Sequence, residues 1–218
     1  MIKTMEHDYR EHIDMYFNEV KLIADKIDKA AIDKLAKALH KLREEKGRLF
    51  VLGVGGSAAM ASHAVNDLRK IGHIESYTPI DNVSELTAWV NDRGWEWAFV
   101  RWLEQSNLTS KDAILVFSVG GGDEARNISP NIVHALKYAK EKGAKVFGVV
   151  GRDGGYTGQV ADVAVLIPVV NPDTVTAHSE SWHAVVLHAI ILHPKFKQIE
   201  GTWEAAAKKE APKEKAKK

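Results

Sequence analysis

The chain has 218 residues, 45% of them hydrophobic, enough for one large α/β domain with a substantial core. A formal net charge of +1 gives no electrostatic excess of the kind that drives binding to nucleic acid or acidic membranes. Cysteine is absent, which excludes disulfides, thiolate zinc sites and cysteine nucleophiles, so any metal must be held by histidine and carboxylate.

The first ten residues are charged and lack the apolar core of a secretory signal, and no run approaches bilayer-crossing length. A soluble, cytoplasmic protein is the expectation. From 6 to about 45 the pattern is helical, with Ile13, Tyr16, Phe17, Val20, Ile23 and Ile27 at three- and four-residue steps. A second helix is predicted over 29–45 through Ile32, Leu35, Leu39 and Leu42, stopped by Gly47. Such an N-terminal helical hairpin has two equal uses: packing on its own sheet, or self-association through an uncovered apolar stripe.

The stretch 49–67 is the unit around which the rest is arranged. Leu49, Phe50, Val51 and Leu52 read as a short strand, Gly53, Gly55 and Gly56 as a tight turn, and the alanine-rich segment after them as a helix. The glycines permit close backbone approach, and amides around Ser57 at a helix N-terminus favour an anion. His63 and Asp67, four apart, share one helical face. There is no P-loop lysine and no dinucleotide spacing, so neither nucleotide reading is supported. A plain strand-to-helix turn and a surface hydrogen-bonded pair remain the alternatives.

A second strand is predicted over 74–79, then a helix over 81–90 with Ser84 as its cap, a turn at 91–94, and an aromatic helix with Trp95, Trp97, Phe99 and Trp102. Those aromatics lack interleaved basic residues, which favours core or subunit contact over base stacking. A third strand over 112–118 ends in glycines 120–122, a helix over 127–141 follows, and strands are predicted over 145–150 and 163–168 with a glycine-rich turn at 151–158 between them. Strands alternating with helices predict a parallel sheet with helices on both faces, and ligands at the carboxyl ends of its strands. A last helix over 174–193 carries four histidines. Its Glu180 and His188 are eight apart, about eighty degrees around the helix, and can border one site. His183 reads as a packed, hydrogen-bonded histidine and His193 as a terminal residue. Residues 1–199 are expected to form a single domain and 200–218 a mobile tail rich in Ala, Lys and Glu.

Taken together, the 53–59 turn, His63, Asp67, Asn91-Asp92, Ser118 with its glycines, the 151–155 loop and the Glu180/His188 helix resemble the sugar-isomerase (SIS) domain family. The similarity is greatest to its phosphoheptose isomerase branch. That resemblance implies a five-stranded parallel sheet flanked by helices in a flavodoxin-like three-layer arrangement. It also implies a homotetramer, at least a homodimer, with active sites at subunit interfaces. The implied activity is aldose–ketose isomerisation of a sugar phosphate, sedoheptulose 7-phosphate to D-glycero-D-manno-heptose 7-phosphate, with one zinc or similar divalent cation per subunit. The family's ligand pattern maps onto His63, Asp67 (in place of Glu), Glu180 (in place of Gln) and His188. By the same mapping Asp67 is the general base and His188 the general acid, and substrate contacts fall on Gly55, Gly56, Ser57, Asn91, Asp92, Ser118, Gly120, Gly121 and Glu180. The second glycine turn departs from the family: it keeps Ser118, but reads Val119-Gly120-Gly121-Gly122-Asp123 where several serines are usual. The alternative is a non-catalytic SIS module that binds a sugar phosphate or a protein partner, which has no need for Asp67, Glu180 and His188 to converge.

Overall fold

A computed structural model describes residues 8–210. The sheet has five parallel strands in the order β2-β1-β3-β4-β5: β1 (Leu49–Leu52), β2 (Ser76–Tyr77), β3 (Ala113–Ser118), β4 (Lys145–Val150) and β5 (Val163–Leu166). The register pairs Leu49 with both Ser76 and Ala113, Ala113 with Lys145, and Phe147 with Val163. Every residue of β1 and β3 is buried, as expected for strands covered on both faces. Alternation then divides them: Leu49, Val51, Leu115 and Phe117 join one core layer, and Phe50, Leu52, Ile114 and Val116 the other.

The first layer is closed by α2 (Lys29–Glu44), α3 (Gly56–Lys70) and α8 (Val175–Ile191), and the second by α5 (Trp95–Gln105) and α6 (Pro130–Glu141). Asp28 caps α2, accepting from the amides of Ala30 and Ala31 at 2.8 and 3.1 Å. Of the two uses expected for the N-terminal hairpin, packing on the sheet is met by its second helix. Leu35, Leu39 and Leu42 of α2 pack on the sheet, whereas α1 (Tyr9–Lys26) buries Ile23 and leaves Tyr9 88% and Phe17 62% exposed. What fixes α1 is polar. The Glu19 carboxylate accepts from Asn171 Nδ2 at 2.6 Å, Thr174 Oγ1 at 2.8 Å and His178 Nε2 at 2.8 Å, with Tyr16 stacked on His178. Burial alone would raise the Glu19 carboxyl, but these hydrogen bonds outweigh it and hold it below its ordinary value. A second brace joins the starts of β1 and β3, where Asp112 receives Arg48 Nη2 at 2.8 Å, the Arg48 amide and the Thr109 amide.

Several expected boundaries shift. The second strand shrinks from 74–79 to two residues. Helix α4 (Val83–Arg93) is capped by Asn82, which accepts from the Glu85 amide at 3.2 Å, and not by Ser84. The turn predicted at 91–94 is helical as far as Arg93, because Gly94 at φ +81° makes the corner into α5 alone. Helix α6 begins at Pro130 instead of 127. Asp123 and Ile128 pair across a small antiparallel bridge, and Asn127 and Ser129 take positive φ before the proline opens the helix. A short helix, α7 (Gly155–Val160), occupies part of the predicted 151–158 turn. Part of the expected tail is helical, as α9 (Thr202–Glu210), and 211–218 lies outside the described residues. Of the aromatics on α5, Phe99 and Trp102 are core, while Trp95 and Trp97 stand at the surface. No helix among the described residues is long and apolar enough to cross a membrane.

Candidate active site

Helices α3 and α8 lie parallel, with Glu180 beside Gly56 near their N-termini and His188 beside His63 about two turns further on. Trp182, Val186, Leu187 and Ile190 bury the sheet-facing stripe of α8, which leaves His188 on the flank that meets α3. There three side chains converge: His63 Nε2 to His188 Nε2 is 3.0 Å, His63 Nε2 to Asp67 Oδ2 3.2 Å and His188 Nε2 to Asp67 Oδ2 3.4 Å. The histidine side chains are each 46% exposed and that of Asp67 only 10%, so the carboxylate forms the floor and the imidazoles the mouth. Asn66 Nδ2 donates to Asp67 Oδ1 at 2.9 Å, turning Oδ2 toward the histidines.

The triangle suits a cation. Zinc held tetrahedrally at about 2.0–2.1 Å has ligand atoms roughly 3.3 Å apart, close to all three observed edges. Hydrogen bonding satisfies the same triangle poorly, because one proton serves one edge and leaves other lone pairs facing each other. His/His/carboxylate is also the donor set that a cysteine-free chain offers to zinc. The fourth expected ligand, Glu180, is not in the cluster. Its carboxylate lies against Gly56, where any side chain would collide with it, at the positive end of the α3 dipole.

At the carboxyl ends of β1, β3 and β4 is a cavity of about 500 Å³ that includes Ser57, Ser118, Gly120, Gly122, Asp123, Arg126, Arg152 and Tyr156 in its lining. This is where the order 2-1-3-4-5 reverses direction, the position at which open parallel sheets bind ligands. Two glycine loops interlock to build its wall: the amides of Tyr156 and Thr157 donate to Gly122 and Gly121 carbonyls at 2.8 and 2.9 Å. A side chain at Gly121 would strike the Gly154 carbonyl, and Gly121 also has φ +70°, so this position requires glycine twice over. The Gly121 amide donates to Ser118 Oγ at 3.0 Å. Of the expected contacts, Ser57, Ser118 and Gly120 line the cavity. Gly55 and Gly56 stand at the start of α3 just outside the lining, and Asn91 and Asp92 bond to each other at 2.9 Å on the exposed end of α4.

His183 is fully buried against Phe117, and desolvation pushes its pKa down to about 4. It is therefore a neutral core residue, packed as its sequence reading expects, but neither ring nitrogen finds the hydrogen-bond partner that the reading also expected. The unfolded chain takes up this proton near pH 6.5, the folded chain only near 4. Stability from this group is thus complete above about 6.5 and is lost as pH falls through that window, by about 3 kcal/mol. Urea titrations of wild type and His183→Gln between pH 7 and 4 should show a shallower pH slope in the variant. Parallel slopes would mean that His183 is protonated in the fold.

Sequence reasoning did not assign Asn66, Arg126 or Arg152. A polar residue next to Asp67 carries no signal by itself, and the two arginines acquire a common setting only when the loops after β3 and β4 meet.

A parallel sheet covered on both faces, a ligand-sized cavity at its switch point and a cation-suited triangle on its flanking helices define an α/β protein of the small-ligand-binding type. An SIS domain model matches residues 15–151, and the chain belongs to that family. It is 36% identical over 152 residues to lincomycin biosynthesis protein LmbN of Streptomyces lincolnensis, covering 66% of this chain and 54% of that protein. The chain thus spans about half the length of that relative. It is 29% identical to the phosphoheptose isomerase of Syntrophotalea carbinolica, over 81% of this chain and 88% of that one. The solved structure of phosphoheptose isomerase GmhA from Neisseria gonorrhoeae superposes with TM-score 0.72 at 27% identity, covering 84% of this chain and 98% of that one.

Proposed function

We propose that this chain is an aldose–ketose isomerase of a sugar phosphate, assisted by one divalent cation per subunit, zinc by its ligand set, and that its substrate is sedoheptulose 7-phosphate. The observation that carries this reading is the near-equilateral His63/Asp67/His188 triangle between α8 and α3, the helix whose first turn lines the strand-end cavity. Ser57 and His63 are six positions apart on α3, about 9 Å along the axis. That span suits a multi-carbon sugar held by its phosphate at one end and presenting its carbonyl at the other.

Isomerisation removes a proton from the carbon next to the carbonyl, forms an enediol, and returns a proton to the former carbonyl carbon while the two oxygens exchange theirs, so a base and a proton carrier are required at that end. Asp67 is assigned the base and His188 the transfer of a proton at the sugar oxygens. A divalent cation, when bound by His63, Asp67 and His188, supplies Lewis-acid stabilisation of the charge that develops on those oxygens. Glu180, against Gly56 at the start of α3, is assigned as a substrate contact. The uncovered apolar face of α1 supports self-association, as a homotetramer in the reading taken here, and a cytoplasmic site of action is part of the same proposal. The binding-only alternative is less well supported, because Asp67 and His188 converge although Glu180 stands apart.

Incubating zinc-loaded protein with sedoheptulose 7-phosphate in heavy water tests this directly. The expected result is deuterium at the carbon beside the carbonyl and an aldose heptose phosphate by NMR. Absence of exchange with every five- to seven-carbon sugar phosphate would overturn the enzymatic reading.

A further inference from the structure

The charges around the cavity are unevenly paired. Asp123 accepts the Arg126 amide at 2.9 Å and faces the Arg126 guanidinium Nε at 3.6 Å, Glu124 is paired with Lys137, and Asp153 accepts the Gly155 amide at 3.2 Å. The acids are therefore engaged, and Asp123, a possible source of repulsion in the sequence, is turned onto its own loop. Arg152 has no hydrogen bond or ion pair among the described residues, yet it lines the same cavity.

Its backbone is held at φ +54°, a conformation that L side chains rarely adopt and that arginine cannot ease with a short local hydrogen bond as Asn or Asp can. The interlocked glycine loops impose it. Gly154 bonds back to Gly151 at 3.0 Å, Tyr156 and Thr157 bond to the 121–122 carbonyls, and the Arg152 stem crosses the space above Gly120 that a side chain would share. Residues held in such regions by their surroundings cluster at ligand clamps. Opposite lies Ser57, only 2% exposed, with no hydrogen-bond partner for its hydroxyl among the described residues. Beside it Ser118 accepts the Gly121 amide and keeps its own hydrogen to donate.

Backbone donors alone leave an anion short here. The first turn of α3 already faces the Glu180 carboxylate, and the Gly121 amide is committed to Ser118. We infer that Arg152 is the cation that holds the phosphate-bearing end of the substrate, with the Ser57 and Ser118 hydroxyls as its partners, in a loop where the family's usual serines are missing. This rests on the reading that the site takes a sugar phosphate. The planar guanidinium presents two parallel N–H groups to a phosphate, which an ammonium does not.

The test compares Arg152→Gly, Arg152→Lys and Arg126→Ala with wild type by calorimetric binding of inorganic phosphate and of sedoheptulose 7-phosphate, and by the split between KM and kcat. Arg152→Gly is the informative variant because glycine adopts φ +54° without strain. It should melt no lower than wild type while losing phosphate affinity on the order of tenfold to a hundredfold, with KM raised more than kcat is lowered. Arg152→Lys should recover part of that affinity. Arg126→Ala, whose guanidinium is tied to Asp123, should lose less than Arg152→Gly. Unchanged phosphate binding in Arg152→Gly, or an equal loss in Arg126→Ala, would overturn the assignment. Wild type that binds phosphate through Arg152 but exchanges no carbon-bound proton would refute the isomerase reading and leave this one standing. An active enzyme indifferent to Arg152→Gly would do the reverse.

Discussion

His63→Ala and His188→Ala should each purify nearly free of divalent metal, while His183→Gln keeps the wild-type content. The physical reason is that the three ligand atoms form a triangle with edges of 3.0, 3.2 and 3.4 Å, so removing one imidazole leaves two donors. Losing an outer-shell partner already costs metal sites roughly 10- to 100-fold in affinity, and loss of a direct ligand should cost more. Asn66→Ala should fall in that outer-shell range, because Asn66 only orients the Asp67 carboxylate. His183 is the control, since it sits five residues before His188 on α8 but faces the core. The measurement is elemental analysis after dialysis and reconstitution with zinc, with circular dichroism to confirm the fold. Equal metal in all four variants would show that the triangle is a hydrogen-bonded cluster only.

Much of the framework was legible because each step depended on one period. The short apolar runs at 49–52 and 112–118, each ending in glycines, read as buried strands, and the i,i+4 spacing of His63 and Asp67 places them on one flank wherever α3 packs. Pairing between helices was not legible in this way. Glu180 and His188 are about 12 Å apart along α8, and only the parallel packing of α3 decides that His188 meets the triangle while Glu180 meets Gly56. The starts of α4 and α6 were missed for local reasons. Asn82 and Ser84 are both capping residues, and the capping geometry chose Asn82. Pro130 at the first turn of α6 was a signal that could have been used. The Asn91-Asp92-Arg93-Gly94 string has turn composition, yet Gly94 alone absorbs the change of direction, so Asn91 and Asp92 stay on the helix and away from the cavity.

Asp67→Asn should keep the fold and abolish exchange of the carbon-bound proton, because an amide of nearly the same shape cannot accept it. A general base contributes about a hundred- to ten-thousand-fold, so the loss should be plain above assay noise. Asp67 is also assigned as a metal ligand, and a fall in rate alone would be ambiguous. Metal content measured on the same sample resolves this, with excess zinc added to compensate for weaker binding. Asp67→Glu supplies the opposite change: the family's residue, one methylene longer, reaching the same space from a carboxylate whose side chain is 10% exposed. Retained metal and exchange in that variant would show that the shorter side chain is a tolerated variation of the family site. Retained exchange in metal-loaded Asp67→Asn would remove Asp67 as the base, and the role would pass to Glu180. That carboxylate stands against Gly56 at the start of α3. Glu180→Gln, which restores the amide usual in the family, would then have to lose the activity that Asp67→Asn had kept.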